Sequence, residues 1–345
     1  MRRGAGRPLV AVTGATGFLG SAVVSQLALQ PVDLRLGMRL PRPAGDKGLS
    51  GAEAETGGEG PPRAGGEPLA RVHRVRADLD DRASLDALCA DADVVLHLAS
   101  YVGPDRDRAE AVNHRGAERL AAAARATARP HCRILHLSTC AVYGAGPHRG
   151  AAVGEVVPDP VSPASRTRLA GERATRAAGA TVLRAALVTG PGERWVVPAL
   201  RELVHRVPAH WDGGRALLSM IDAADLGRLV AALALEPAAA APGAVLHAAH
   251  PAPVRNRDLL RALADLGLLP PLPDGADRPW SWCLDRLART PGSATERQLA
   301  LLGQDHWYRS EDAWRLARTD PGPGPLARLA AAAPWYRAHL ALPGG

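Results

Sequence analysis

Glycine spacing near the start of the chain sets the tightest limit on what it can fold into. The octet Thr13-Gly14-Ala15-Thr16-Gly17-Phe18-Leu19-Gly20 directly follows the apolar run Leu9 to Val12. That run reads as a buried strand ending at Thr13, and Phe18 to Leu29 reads as a helix stopped by Pro31. Glycines between a strand and a helix let the backbone turn tightly and approach a pyrophosphate. The helix start then offers unpaired N–H groups and the positive end of its dipole. Gly14, Thr16, Gly17, Phe18, Leu19 and Gly20 are the candidate phosphate-cradle residues. Three glycines alone also permit a tight turn with no ligand.

Further apolar runs alternate with helical patterns. Asp33 to Met38, Val72 to Val75, Asp93 to Leu98, Ile134 to Ser138 and Thr181 to Leu187 read as strands. Ala83 to Cys89, Glu110 to Ala128 and Ser165 to Ala178 read as helices between them. Such alternation predicts an α/β fold, a Rossmann-type doubly wound parallel sheet covered on both faces. The expected dinucleotide-binding domain spans 1–190 and is interrupted over 41–68 by a Gly- and Pro-rich insertion expected to be flexible. Residues 191–345 are expected to form a smaller, interwoven substrate-binding region, with helices over 198–207, 225–235, 256–267, 310–318 and 325–339.

The net charge of +7 favours anionic partners, but the arginines are scattered, with no basic run and no zinc-finger spacing. The expectation is a phosphorylated cofactor, with no nucleic acid and no metal. Cys89, Cys132, Cys140 and Cys283 have no paired spacing and read as free thiols of a reducing compartment. No apolar stretch is long enough to span a membrane, so a cytoplasmic protein with no membrane partner is expected. The oligomeric state is left open.

The G-x-x-G-x-x-G spacing resembles that of the extended short-chain dehydrogenase/reductase family, also described as NAD-dependent epimerase/dehydratase-like. Other segments agree in order. Asp78-Leu79 resembles the pair that contacts the adenine, and His97-Leu98-Ala99-Ser100 resembles the family's H-L-A-A strand end beside the cofactor. Asn113 to Gly116 resembles V-N-x-x-G, and Ser138 to Gly144 resembles S-S-x-x-V-Y-G. Leu183-Arg184 to Gly192, Ile221 to Leu226 and Trp335-Tyr336 resemble later family segments. The resemblance implies a nicotinamide dinucleotide held by the cradle, by Asp78 and Leu79, and by Leu98, Ala99 and Ser100.

An acidic residue about 20 positions after the cradle binds the ribose 2′-hydroxyl of NAD, whereas an arginine nearby accommodates the 2′-phosphate of NADP. The strand Leu34 to Met38 ends without Asp or Glu; Arg39 occupies that place and Arg42 follows. A guanidinium pairs with a phosphate that a carboxylate would repel. The reading favours NADPH (NADP+), the alternative being that Arg39 is simply a solvated arginine.

Where the family pattern is S-P-Y-G-x-S-K-L-A-G-E, this chain has Ser162-Pro163-Ala164-Ser165-Arg166-Thr167-Arg168-Leu169-Ala170-Gly171-Glu172. Ala164 replaces the tyrosine and Arg168 the lysine. The only lysine is Lys47, and none of the tyrosines has a lysine four residues later. A positioned general acid contributes roughly 10²–10⁴-fold to rate, or roughly 3–5 kcal/mol. Holding hydride donor and acceptor together contributes about 7–11 kcal/mol. Positioning can therefore sustain turnover. Thr139 matches the family's catalytic Ser/Thr, with Ser138 and Ser165 as weaker candidates, and Arg168 can take the lysine's place at the nicotinamide ribose. The alternative for Thr139 is a strand-end hydroxyl bonded to backbone; for His97, Tyr143 and Cys140, packing at the sheet edge is the favoured reading. A substrate whose own phenol bonds its ketone would also lessen the need for an acid.

All the tryptophans, Trp195, Trp211, Trp280, Trp282, Trp307, Trp314 and Trp335, lie beyond residue 190. They suit a flat apolar ligand, although half or more, Trp314 and Trp335 above all, are equally readable as core. The replaced pair and the tryptophan-rich region resemble atypical ketoreductases of aromatic-polyketide pathways. This implies NADPH-dependent reduction of a small-molecule aromatic ketone. A catalytically inactive NADP(H)-binding sensor or scaffold is the main alternative, and a lyase or isomerase using the cofactor structurally is a third.

Overall fold

The computed structural model describes residues 7–39, 69–236, 240–273 and 275–340. The expected insertion over 41–68 and the candidate Arg42 lie outside the described residues.

Seven parallel strands form the main sheet: β1 (Leu9–Thr13), β2 (Val32–Met38), β3 (Ala70–Arg76), β4 (Val94–His97), β5 (Arg133–Thr139), β6 (Thr181–Ala185) and β7 (Val245–Ala248). Their order is β7-β6-β5-β4-β1-β2-β3, with every neighbouring pair parallel. Val10, Ala11 and Val12 are all wholly buried, as continuous apolar strands between two helical layers must be. Edge strand β3 instead exposes Arg71, His73, Arg74 and Arg76, and such charges oppose pairing with another chain.

Helices α1 (Phe18–Ala28), α2 (Arg82–Cys89), α3 (Gly116–Thr127), α4 (Pro163–Ala177), α5 (Val196–Arg206) and α6 (Ala223–Leu235) cover the sheet and extend the core. Val23 and Leu27 of α1 share one core with Leu226, Leu229 and Val230 of α6. Leu85 and Leu88 of α2 share another with Leu120 and Ala124 of α3. The expected helix over 110–128 starts earlier and is irregular: Arg106–Ala109 leads into a π-helical stretch, Glu110–Arg115, before α3. An Ala-rich apolar stripe does not reveal the wider turn.

The chain beyond residue 190 returns to the main sheet through β7. The connection after β5 contributes His148–Ala151 to a second sheet, ordered Val254–Arg255, Leu217–Leu218, His306–Tyr308, His148–Ala151. A separate core lies among α5, Asn256–Asp265, Trp280–Arg289, Glu296–Gly303 and Pro325–His339. Two of those helices, Trp280–Arg289 and Glu296–Gly303, were not expected from periodicity; the second carries a capping box between Thr295 and Gln298 that marks its start. Among the described residues, no helix is long and apolar enough to cross a membrane.

Trp211, one of the tryptophans expected to suit a flat apolar ligand, is instead part of this second core. It is wholly buried, and its indole N–H donates to the Val207 carbonyl at 3.0 Å. Trp211→Ala is expected to lower unfolding free energy by about 3–5 kcal/mol, read from urea denaturation, because it leaves both a cavity and an unpaired carbonyl.

Candidate active site

The strand order reverses between β1 and β4, and ligands of open parallel sheets bind beyond the strand ends at such a point. Here the two ends touch. Gly14 adopts φ +72°, and a Cβ there would lie 2.5 Å from the Ala99 amide nitrogen. The Gly17 N–H closes the turn on the Gly14 carbonyl at 3.0 Å. At Gly20 a Cβ would overlap the Gly14 carbonyl, so the first turn of α1 lies directly against the loop. Gly17 is the N-cap and supplies no side chain to the first N–H groups of α1, while Thr16 and Gly17 are exposed. These donors are left for an anion.

The other cradle residues gather at the same edge. Phe18 and Leu19 are partly buried, with Phe18 against Gly192 of the loop after Leu187–Thr189. Leu98 and Ala99 are partly buried and Ser100 is exposed, immediately beyond β4. Asp78 and Leu79 are partly buried; Asp78 bonds through its backbone to Ser84, and its carboxylate accepts from the Asp80 N–H at 3.0 Å. Arg39, one residue past β2, is exposed. Arg35 of β2 instead donates to the Ala87, Leu88 and Ala90 carbonyls, which ties it to the end of α2.

Beneath the strand ends lies a layer of neutral histidines and one cation. His97 is wholly buried, with Nδ1 2.8 Å from Thr13 Oγ1 and no partner at Nε2. Its ring lies 4.7 Å from that of His136, whose Nδ1 is 2.8 Å from Thr175 Oγ1. Burial drives the His97 pKa down to about 4 and that of His136 well below the usual range, and Arg168 adds to both shifts. Arg168 is half-buried on α4, with Nη2 3.5 Å from the Leu137 carbonyl and no partner at Nε. Burial lowers its pKa to about 10, leaving it charged at neutral pH.

The two serine/threonine candidates face opposite ways, as alternate residues of a strand must. Ser138 is wholly buried, and its hydroxyl donates to Glu172. Glu172 is also gripped by Arg184 through three contacts of 2.7 to 3.2 Å. Thr139 is partly exposed at the end of β5, and its Oγ1 accepts from the Ala141 N–H at 3.2 Å. That bond uses a lone pair and leaves the O–H free to donate. Ser165 is buried in a capping box with Ser162 at the start of α4. Tyr143 is buried against His247, whose Nδ1 bonds the Arg309 carbonyl at 2.9 Å, and Cys140 is buried with its thiol bonded to the Arg184 carbonyl. Among the described residues no cluster of three or more His, Cys, Asp or Glu is arranged to hold a metal.

The tryptophans scatter rather than forming one wall. Trp314 is core, its indole bonded to the Ala249 carbonyl; Trp280, Trp282 and Trp335 are half-buried against the second core. Only Trp195, at the start of α5, is exposed among them, at 55%.

A model of the NAD dependent epimerase/dehydratase family matches residues 10–249, well over half of the chain. The chain belongs to that family. No curated protein sequence matches it. Its fold is similar to that of MoeE5, solved with UDP-glucose and NAD, at TM-score 0.66 and 21% identity over 96% of this chain and 99% of that one. It is likewise similar to the dTDP-glucose 4,6-dehydratase DesIV from Streptomyces venezuelae, solved with NAD, at TM-score 0.64 and 18% identity over 95% and 96%. A third similar structure is the UDP-glucuronic acid 4-epimerase from Bacillus cereus, also with NAD, at TM-score 0.64 and 20% identity over 95% and 96%.

Buried histidines make stability depend on pH. His97 and His247 both have pKa values lowered to about 4, chiefly by burial. Unfolded histidines take up protons near pH 6.5, so the unfolded chain binds more protons in between. Stability is therefore full above about pH 6.5 and falls as pH drops toward 4, by on the order of 2–3 kcal/mol per histidine. Urea unfolding across this range should show that slope, and His247→Gln should reduce it.

Proposed function

We propose that the chain is an NADPH-dependent ketoreductase that transfers a hydride to the ketone of an aromatic polyketide, angucyclinone-like in shape, in antibiotic biosynthesis. In this it resembles the simocyclinone angucyclinone 7-ketoreductase. The observation that carries the reading is a complete dinucleotide cradle beside a site whose tyrosine position is Ala164 and whose lysine position is Arg168.

The residues present fit a nicotinamide dinucleotide. The open start of α1 would take the pyrophosphate, and the unpartnered Arg168 Nε would take a ribose hydroxyl. The bound cofactor supplies the hydride. Thr139 donates its free O–H to the substrate carbonyl and so stabilises charge developing on oxygen. Epimerisation and dehydration begin with removal of a hydroxyl proton, for which Ala164 offers no base. Reduction asks only that the oxygen be stabilised and then protonated.

Two features support the finer assignments. NAD occupies the similar folds, but here an exposed arginine, not a carboxylate, follows β2. The exposed large apolar side chains also favour an apolar ligand. Val102 follows β4; Val153, Val157 and Val161 lie between β5 and α4; Trp195 follows Leu187–Thr189. Five of the six such side chains among the described residues thus stand in connections that leave the C-terminal ends of strands, where a substrate enters; the sixth, Leu29, lies at the far end of α1. A second reading, an inactive NADP(H)-binding sensor or scaffold, is favoured by the same Ala164; cofactor binding without turnover of any carbonyl would distinguish it.

Calorimetry is the primary test. NADP+ should bind at least about tenfold more tightly than NAD+, a difference of about 1.4 kcal/mol, and Arg39→Ala should abolish the preference. Tighter binding of NAD+ would remove the NADP assignment. Thr139→Val should slow single-turnover NADPH oxidation by an accepted ketone roughly 10²-fold while leaving cofactor affinity unchanged.

A further inference from the structure

Reduction of a carbonyl requires a proton, and Ala164 cannot give one. The four tyrosines of the chain divide into two kinds. Tyr143, Tyr308 and Tyr336 are buried, at 2%, 4% and 0% exposure. Their hydroxyls are engaged by His247, His148 and Glu193 respectively. Tyr101 alone is partly exposed. It stands in the connection leaving β4, three residues past Leu98, on the side of the sheet where the cradle lies.

Asn113 fixes its place. The Tyr101 N–H donates to Asn113 Oδ1 at 2.7 Å, and the Tyr101 carbonyl accepts from Asn113 Nδ2 at 2.8 Å. The same Nδ2 donates to Thr167 Oγ1 at 3.0 Å, and Thr167 Oγ1 donates to the Ala164 carbonyl at 3.0 Å. One buried asparagine thus ties the Tyr101 backbone to Thr167 of α4, three residues after the position where the tyrosine is missing. Asn113 lies in the π-helical stretch, a distortion often found at functional sites. The contact with α4 is close: a Cβ at Gly171 would overlap the Asn113 carbonyl. The Arg108 guanidinium lies 4.8 Å from the centre of the Tyr101 ring and holds its orientation by cation–π attraction.

We propose that Tyr101 is the proton donor of this reduction, a phenol carried on the loop after β4 in place of one on α4. The inference rests on the ketoreductase reading above. The ketone carbon receives the hydride from the reduced nicotinamide, forming a C–H bond. The C=O π pair moves onto oxygen, and that oxygen takes the proton of the Tyr101 hydroxyl. The resulting phenolate regains a proton from water. NADPH is oxidised to NADP+ and the ketone is reduced to an alcohol.

The burial pattern makes the test selective. Tetranitromethane should nitrate Tyr101 and spare the three buried tyrosines, with peptide mapping to place the label and Tyr101→Phe giving none. The absorbance of ionised nitrotyrosine is then titrated in complexes with NADP+ and with NADPH. These cofactors share the same adenosine and phosphates but differ by one positive charge on the nicotinamide ring. A phenol beside that ring should ionise at lower pH in the NADP+ complex, by about one to three units. Superimposable titrations, or nitration elsewhere in the chain, would overturn the assignment of Tyr101 while leaving the cofactor site intact. Absence of calorimetric binding by NADP+, NADPH and NAD+ alike would overturn the ketoreductase reading, and this inference with it.

Discussion

A methyl group on residue 14 would stand 2.5 Å from the Ala99 amide nitrogen, and the geometry of the cleft follows from that lack of room. The β1–α1 turn and the end of β4 are pressed together where strand order reverses. The start of α1 therefore faces the crevice instead of packing beside it. A hydrogen bond between Thr13 and His97 joins the same two strands one layer below. Because the contact is backbone against backbone, no side-chain rearrangement can relieve it.

Electrostatics then determine how α4 lies on this frame. Burying separate charges costs several kcal/mol each unless geometry and extra hydrogen bonds compensate. Glu172 and Arg184 meet that condition, with side chains 1% and 5% exposed and Ser138 donating to the same carboxylate. The pair joins α4 to β5 and β6, so the helix cannot slide without breaking it. Ala164 and Arg168 are held in that register. Arginine is no simple substitute for lysine: its flat fork carries more donors in fixed directions and keeps its charge when half-buried. On this helix a methyl group at residue 164 offers no transferable proton, and the arginine at residue 168 carries a fixed positive charge.

The order of elements was legible because their chemistry is local. Leu9–Thr13 and the helix from Phe18 stand where glycine spacing and apolar runs put them, and the other main-sheet strands read before residue 190 differ by one or two residues at their ends. Periodicity failed where local sequence carries little of it. The strands Leu217–Leu218 and Val254–Arg255 have two residues each and exist because neighbouring strands pair with them. Trp280–Arg289 follows a Pro-rich segment, and its apolar face has meaning only against α5. Tyr101 was legible only as a tyrosine without a lysine four residues on, because the asparagine that places it binds its backbone, not its side chain.

The amino-acid sequence by itself determined the glycine cradle, the parallel α/β architecture and the replacement of Tyr and Lys by Ala164 and Arg168, because each follows from residue identity at a fixed spacing. Tertiary structure alone decided that Ser138 turns inward to Glu172 while Thr139 faces out, that Trp211 is core, and that Asn113 joins the Tyr101 backbone to α4. Alternation along a strand says that neighbours point opposite ways but not which way is inside. That choice belongs to partners distant in the chain, and only the folded packing brings them into contact.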